Sequence, residues 1–171
     1  MADLPTAPGI PGRPVGASGH HRGMSEQSTA LRDRILDHDD DLRDVLQVLL
    51  RRASRRQLWL LFLDERGCLG DPVMPMDEYP DDPRGEVEAD DLGKVGHAHL
   101  LMHRIGMLRE ITGNASVVLV WERVASSTLD EEDRAWAGAM ADEAALLDVP
   151  LRAQFLLHNR GMRRLRPDDY I

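Results

Sequence analysis

Several features that mark exported, membrane-bound or disulfide-stabilised proteins are missing from this sequence. Its one cysteine, Cys68, cannot form an internal disulfide, and a thiolate-rich structural zinc site is excluded. No run of about 18 apolar residues exists, as a membrane-spanning helix would need, and the N-terminus lacks a compact apolar segment of the secretory type. We therefore expect a cytoplasmic protein with no membrane partner.

Lysine and aromatic residues are also scarce. Lys94 is the only lysine among 21 basic residues, and aromatic side chains make up 4% of the chain. The preference for arginine is typical of a high-GC genome, so codon supply competes with phosphate binding as its explanation. The formal net charge of −9 disfavours nucleic-acid binding, although it is compatible with a local basic patch. We expect a protein partner or self-association instead.

The length and the apolar content predict one domain with an N-terminal tail. The chain has 171 residues, of which 42% are hydrophobic, enough for one ordinary core. Residues 1–27 are rich in proline and glycine and have few large apolar side chains, so little burial offsets the entropy of ordering them. The predicted organisation is a disordered leader at residues 1–27 and a single α/β domain at residues 28–171.

The first half of this domain is predicted to contain helical segments and a β-hairpin. Apolar residues recur with helical spacing from Ser28 to about Arg52. An apolar run at 58–63, a turn ending at Gly67 and a second run to Met74 indicate a buried hairpin. The acidic, proline-containing segment 77–91 is predicted to be an exposed loop.

The second half is predicted to alternate between helices and strands. A helix is expected from about Glu86 or Leu92 to Ile111, followed by a buried strand over 117–121. Ser127 or Thr128 is expected to cap the next helix, and two strands follow it. This order predicts an α/β (α+β) fold in which a single mixed β-sheet is flanked by helices.

Three short motifs resemble those of the RadC-type JAB (MPN-like) domains, over the chain from about Asp41 to the C-terminus. The Phe-Leu-Asp segment at 62–64 precedes the hairpin turn, as in that family, and Leu-Asp-Val-Pro-Leu at 147–151 is similar to the family's Leu-Gly-Ile-Pro-Leu. Residues 130–133 stand where the family has Ser-x-x-Asp. The resemblance implies a JAB/MPN-like fold.

The residues that carry catalysis in that family are mostly replaced here. Two histidines and an aspartate of the family bind zinc and leave one position open for the water that attacks an amide. An ungapped alignment places Trp121 and Arg123 at the histidine positions, where neither can ligate zinc, and retains only Asp133. The resemblance thus implies a pseudoenzyme with no catalytic residue, metal or cofactor. Asp133 is then explained as a first-turn charge at a helix N-terminus.

A pair of histidines supports an alternative function. His99 and His103 lie four residues apart on a predicted helix, so their imidazoles share one face. With Asp133 or another acidic side chain they would form the metal site of a hydrolase. A solvated or hydrogen-bonded polar face is the simpler explanation of the same pair.

Two arginine clusters are candidate anion sites. The better candidate, for an anion or nucleic acid, consists of Arg51, Arg52, Arg55 and Arg56. Its position after a helix also allows a favourable interaction with the helix C-terminus, which is the simpler explanation. A second cluster consists of Arg160, Arg163, Arg164 and Arg166. Asp168 and Asp169 follow immediately, so a solvated, internally balanced edge is favoured there over an anion patch.

Overall fold

The structure is a computed structural model that describes the backbone of residues 20–171 and the side chains from Glu26 onward. Four α-helices occur in this part of the chain: α1 His20–Arg32, α2 Asp39–Leu50, α3 His97–Ile111 and α4 Glu131–Leu146. The strands are β1 Gln57–Leu63, β2 Leu69–Met76, β3 Glu86–Ala89, β4 Gly93–Gly96, β5 Ser116–Glu122, β6 Leu151–His158 and β7 Gly161–Leu165. None of these helices has the length and hydropathy that a membrane-spanning segment requires.

Five strands form one mixed sheet in the order β2-β1-β5-β6-β7. Strands β5 and β6 are parallel, whereas β1 is antiparallel to both β2 and β5, and β7 is antiparallel to β6. Helix α4 connects β5 to β6, and such a crossover is what a parallel pair requires. Strands β3 and β4 form a separate two-stranded hairpin. The predicted α/β (α+β) class, with one mixed sheet flanked by helices, is confirmed.

The sheet separates two hydrophobic clusters because successive side chains of a strand point to opposite faces. Val117, Leu119 and Trp121 of β5 pack into the cluster that also contains residues of α3 and α4. Val118 and Val120 of the same strand pack into the cluster that contains residues of α2. All five side chains are almost fully buried, so β5 is the central strand that its apolar, β-branched sequence predicts.

The predicted hairpin and its turn are also confirmed. Strands β1 and β2 pair as an antiparallel hairpin, and Gly67 in the turn has a φ of 78°. Glycine adopts this left-handed conformation without a steric penalty. Cys68 is 1% exposed, consistent with a small buried side chain.

The boundaries of two predicted elements are wrong, and a helix begins within the segment predicted as the leader. Residues 1–19 of the predicted leader lie outside the described residues, but α1 begins at His20, so residues 20–27 are helical. The segment 86–96, predicted as loop or helix, forms β3 and β4, and α3 begins at His97. Asp130, rather than Ser127 or Thr128, caps α4, because its carboxylate accepts a hydrogen bond from the Asp133 N–H.

Candidate functional site

Arg123 lies between the carboxylates at the start of α4. It follows the last residue of β5, and its backbone N–H donates to the Leu157 carbonyl at 3.1 Å, which fixes the loop to β6. Its guanidinium contacts the Asp133 carboxylate and lies 3.0 Å from Asp130 Oδ2. The side chains of Arg123 and Asp133 are only 16% and 12% exposed, so this ion pair is largely shielded from water.

The two aspartates are held in place by the N-terminal cap of α4. Asp130 Oδ1 accepts from the Asp133 N–H at 2.8 Å, and Asp133 Oδ2 accepts from the Asp130 N–H at 3.2 Å. This reciprocal arrangement is a capping box, which satisfies backbone donors that a helix start leaves unpaired. Asp133 therefore has a double role, because it closes the cap and binds the guanidinium of Arg123.

A second arginine borders the same surface. Arg56 forms an ion pair with Glu132 and stacks over the Tyr79 ring at 3.9 Å from its centroid, a cation–π contact. Together these residues surround a cavity of about 360 Å³, which we call the Arg123 pocket. It is lined by Arg56, Arg123, Val124, Ala125, Asp130, Glu132 and Asp133. Each of its three carboxylates contacts an arginine, Glu132 through Arg56 and the two aspartates through Arg123, so none of them is free of a cationic partner.

Trp121, two residues before Arg123, belongs to the core. It is 2% exposed, and its indole Nε1 donates to Gln154 Oε1 at 2.8 Å. Its ring centroid lies 5.6 Å from that of Tyr79 and 6.1 Å from that of Trp136. The indole therefore packs in the core and donates one buried hydrogen bond, and it has no lone pair that could bind a metal.

Glu122, between these two residues, is a buried carboxylate without a cationic partner. Its Oε2 accepts from Gln57 Nε2 at 2.5 Å and from Trp59 Nε1 at 2.7 Å. Its Oε1 accepts from the N–H and the hydroxyl of Ser54 and from the Arg55 N–H, at 2.5, 3.0 and 3.3 Å. Burial acts to raise the pKa of Glu122, but these hydrogen bonds outweigh it and lower the pKa below 4.5.

Glu122 was not predicted as a structural group. A charged residue after an apolar run indicates only that a strand ends. The sequence signal that could have indicated its role is the segment from Ser54 to Trp59. This segment supplies two backbone and three side-chain donors around the start of β1.

The candidate metal ligands are not brought together. His99 Nδ1 lies 2.7 Å from Glu143 Oε2, a contact between α3 and α4, whereas the buried Nδ1 of His103 has no hydrogen-bond partner among the described side chains. Asp133 is bound to Arg123 instead. Across the described side chains, no three histidine, cysteine, aspartate or glutamate residues form a group that would hold a metal ion.

The candidate anion site is divided by the structure. Arg55 lies 3.2 Å from Asp77 Oδ2, and Arg56 belongs to the Arg123 pocket. Arg51 and Arg52 are exposed, and neither has an ion pair with the described residues. Arg51 and Arg52 are therefore the two members of the cluster that have no ion pair within the part of the chain whose side chains are described.

Comparison with known proteins gives no further assignment. No family model matches the chain, and no curated protein is significantly similar to it. The functional assignment therefore depends on the contacts of Arg123 and its neighbours.

Proposed function

We propose that this protein is a noncatalytic, metal-free JAB/RadC-like binding or scaffold protein that acts in the cytoplasm through a protein partner or by self-association. One observation carries the proposal: the guanidinium of Arg123 lies between Asp130 and Asp133. At the position where the resemblance expects a second zinc histidine, the chain supplies a permanent cation.

The chemistry of guanidinium is incompatible with a metal at this position. Arginine stays protonated in proteins and has five donors but no acceptor, so it cannot ligate a cation. A zinc ion on Asp133 would have to displace it, which would leave a largely buried guanidinium without its partner. Two like charges would then compete for the same carboxylate.

The arrangement of elements supports the JAB-like part of the proposal. The central strand β5 leads through a short loop to the capped start of α4, and β6 follows as the parallel neighbour of β5. This is the local arrangement in which the resemblance places its zinc site. The motif similarity at residues 130–133 and 147–151 falls at the start of α4 and at the entry to β6.

A hydrolysis assay tests the noncatalytic part. The protein, supplied with zinc, is incubated with fluorogenic amide and isopeptide-linked substrates, beside its Asp133→Asn variant. We expect the same background rate for both proteins. Zinc-dependent turnover that the Asp133→Asn variant loses would contradict the proposal.

Anion binding through Arg51 and Arg52 is a second candidate, favoured by the exposure of these two side chains and by their lack of described acidic partners. It predicts an affinity for single- or double-stranded nucleic acid that falls steeply with salt and that Arg51→Ala/Arg52→Ala removes. Absence of binding at low salt would eliminate it. Among the described residues, His99 and His103 belong to no group of three possible metal ligands, so the hydrolase that would use them is not proposed.

A further inference from the structure

A cleft of about 830 Å³ lies between the N-terminal turn of α2 and the last strand of the sheet. We call it the β7 cleft. Its lining includes Asp39 on the α2 side, Met162, Arg163, Arg164 and Arg166 on the β7 side, and Asp169. It thus combines an open sheet edge, a helix beside it and several charged side chains.

The backbone of β7 has unused hydrogen-bonding groups along this edge. A two-residue turn joins β6 to β7, so His158 and Gly161 form the closing hydrogen-bonded pair. The alternation of an antiparallel ladder then directs the N–H and C=O groups of Met162 and Arg164 away from β6. No described strand pairs with that side of β7.

The opposite edge of the sheet is unsuited to strand addition. Strand β2 contains Pro72 and Pro75, which have no N–H, and Asp71 of the same strand forms an ion pair with Arg32 of α1. Edge strands protected by prolines resist pairing with another chain. Of the two edges, β7 is the one that can accept an additional strand.

The charges on β7 favour an acidic strand. Four arginines occur between residues 160 and 166 in a chain whose net charge is −9. Arg163 forms an ion pair with Asp169, and Arg164 forms one with Asp39. The side chains of these two arginines and two aspartates are between 26% and 41% exposed. The Arg164–Asp39 pair is the more exposed of the two, and exposed pairs contribute little to stability, so an incoming carboxylate would replace Asp39 at Arg164 at little cost while Asp39 keeps its ion pair with Arg152. Arg166 has no ion pair with the described residues.

The same charges disfavour pairing between two copies of β7. Antiparallel pairing of identical strands would bring the arginines at 163 and 164 of each copy close to those of the other. Like charges directly opposite each other destabilise a sheet. A partner strand with acidic side chains has the opposite effect.

We propose that the β7 cleft binds an extended acidic segment of a partner protein, which adds to β7 as a sixth strand of the sheet. Backbone hydrogen bonds to Met162 and Arg164 would provide affinity, and the guanidinium of Arg164, on the α2 face of the sheet, would select for carboxylates on that face of the added strand. The inference rests on the proposed function, because it assigns the partner class and the surface of the binding module.

Titration with designed peptides, followed by the backbone amide signals of the full chain, tests this site. The probe is a blocked eight-residue peptide of alternating Glu and Val, and the control peptide has Lys in place of Glu. We expect the acidic probe to shift the amide signals of Met162 and Arg164 and to slow their hydrogen exchange at least tenfold. The basic peptide should bind at least tenfold more weakly.

Two variants at one position separate backbone pairing from charge. Arg164→Ala removes the guanidinium but keeps the N–H, and Arg164→Pro removes both. We expect a loss of about threefold in affinity for the first and of more than tenfold for the second, with the β6 amide signals retained. If Arg164→Pro does not fold, slower hydrogen exchange of the Met162 and Arg164 amides in the unaltered protein, measured with the acidic probe bound, tests the backbone pairing instead.

Equal binding of both peptides, or unchanged exchange at Met162 and Arg164 in the presence of bound probe, would overturn the β7 assignment. This failure is distinct from failure of the proposed function. Zinc-dependent cleavage of amide substrates would overturn the function, whereas an inactive protein that does not bind the probe would overturn only the assignment of the β7 cleft.

Discussion

At the scale of single residues, Arg123 contacts two carboxylates that the α4 cap brings together. We predict that Arg123→Gln lowers the free energy of unfolding by about 1–3 kcal/mol, because the largely buried Asp133 carboxylate loses its cation. Urea denaturation of the variant measures the change. Combining it with Asp133→Asn should recover part of the loss, since the uncompensated charge is then absent; strictly additive losses would contradict this coupling.

The Glu122 carboxylate should make the free energy of unfolding depend on pH in the acidic range. Its pKa is lowered in the folded protein, so its contribution to stability is complete above the unfolded value and is lost as pH falls through the folded value. Glu122→Gln should therefore be less stable than the unaltered protein at pH 7, by about 1–3 kcal/mol, because its amide group faces donors. The difference should shrink as pH falls below 4.5.

Urea melts of both proteins between pH 7 and pH 3 measure this difference. Glu65→Gln is the control, since Glu65 is exposed in the β1–β2 turn and should leave the profile unchanged. A difference between Glu122→Gln and the unaltered protein that stays constant with pH would contradict the role assigned to the Glu122 carboxylate.

The sequence singled out Arg56, Arg123 and Asp133, but it did not predict the contacts that bring them together in the Arg123 pocket. The alignment with the JAB motifs singles out Trp121, Arg123 and Asp133, and the first-turn position of Asp133 follows from the acidic start of the helix. The ion pair between Arg123 and Asp133 depends on the path of the loop between β5 and α4. That path is fixed by hydrogen bonds to β6, a strand that lies far along the chain.

At the scale of elements, the start of α4 provides a test of which residue caps it. Asp130→Ala should lower the free energy of unfolding by about 1–2 kcal/mol, because it removes the capping acceptor and one contact of Arg123. Ser127→Ala and Thr128→Ala should each change it by less than about 0.5 kcal/mol. Thermal or urea melts compare the three. A larger loss at Thr128 than at Asp130 would contradict the observed cap.

The close approach of α3 to the segment before β6 predicts a second effect at this scale. A Cβ on Gly106 would lie 2.8 Å from Cγ2 of Val149, which is 8% exposed. Gly106→Ala should therefore destabilise the protein by about 1 kcal/mol or more, although alanine is the better helix former by a similar amount.

A double substitution tests whether contact with Val149 causes the loss of stability expected for Gly106→Ala. Val149→Ala removes the methyl group that Gly106→Ala would meet, so the two changes together should cost less than their sum. Urea denaturation of the two single variants and the double variant gives this comparison. Additive losses would show that the contact with Val149 is not responsible.

The sequence predicts the apolar elements well and the polar ones poorly. Strands β1 and β5 are nearly continuous apolar runs, and burial on both faces of the sheet makes them recognisable. Strands β3 and β4 read Glu-Val-Glu-Ala and Gly-Lys-Val-Gly, with too few apolar residues to be distinguished from an acidic loop. The start of α3 was misplaced for the same reason, because the acidic residues before it also suit the first turn of a helix.

At the scale of the whole molecule, the order of the elements predicted the fold class. It did not predict which strands lie at the edges of the sheet. The crossover through α4 makes β5 and β6 parallel, and short turns make β1–β2 and β6–β7 antiparallel, so a mixed sheet is expected. Which strands lie at the edges depends on how β1 pairs with β5, a contact between distant parts of the chain. The β7 cleft exists because that pairing leaves β7 at one end of the sheet.

The central claim is that Arg123 replaces a metal in a noncatalytic domain. It is tested most directly by metal analysis of the natively purified, untagged protein by mass spectrometry, together with thermal melting in zinc and in chelator. We predict substoichiometric metal and the same melting temperature in both conditions. Near-stoichiometric zinc with a melting temperature that chelator lowers would contradict the claim.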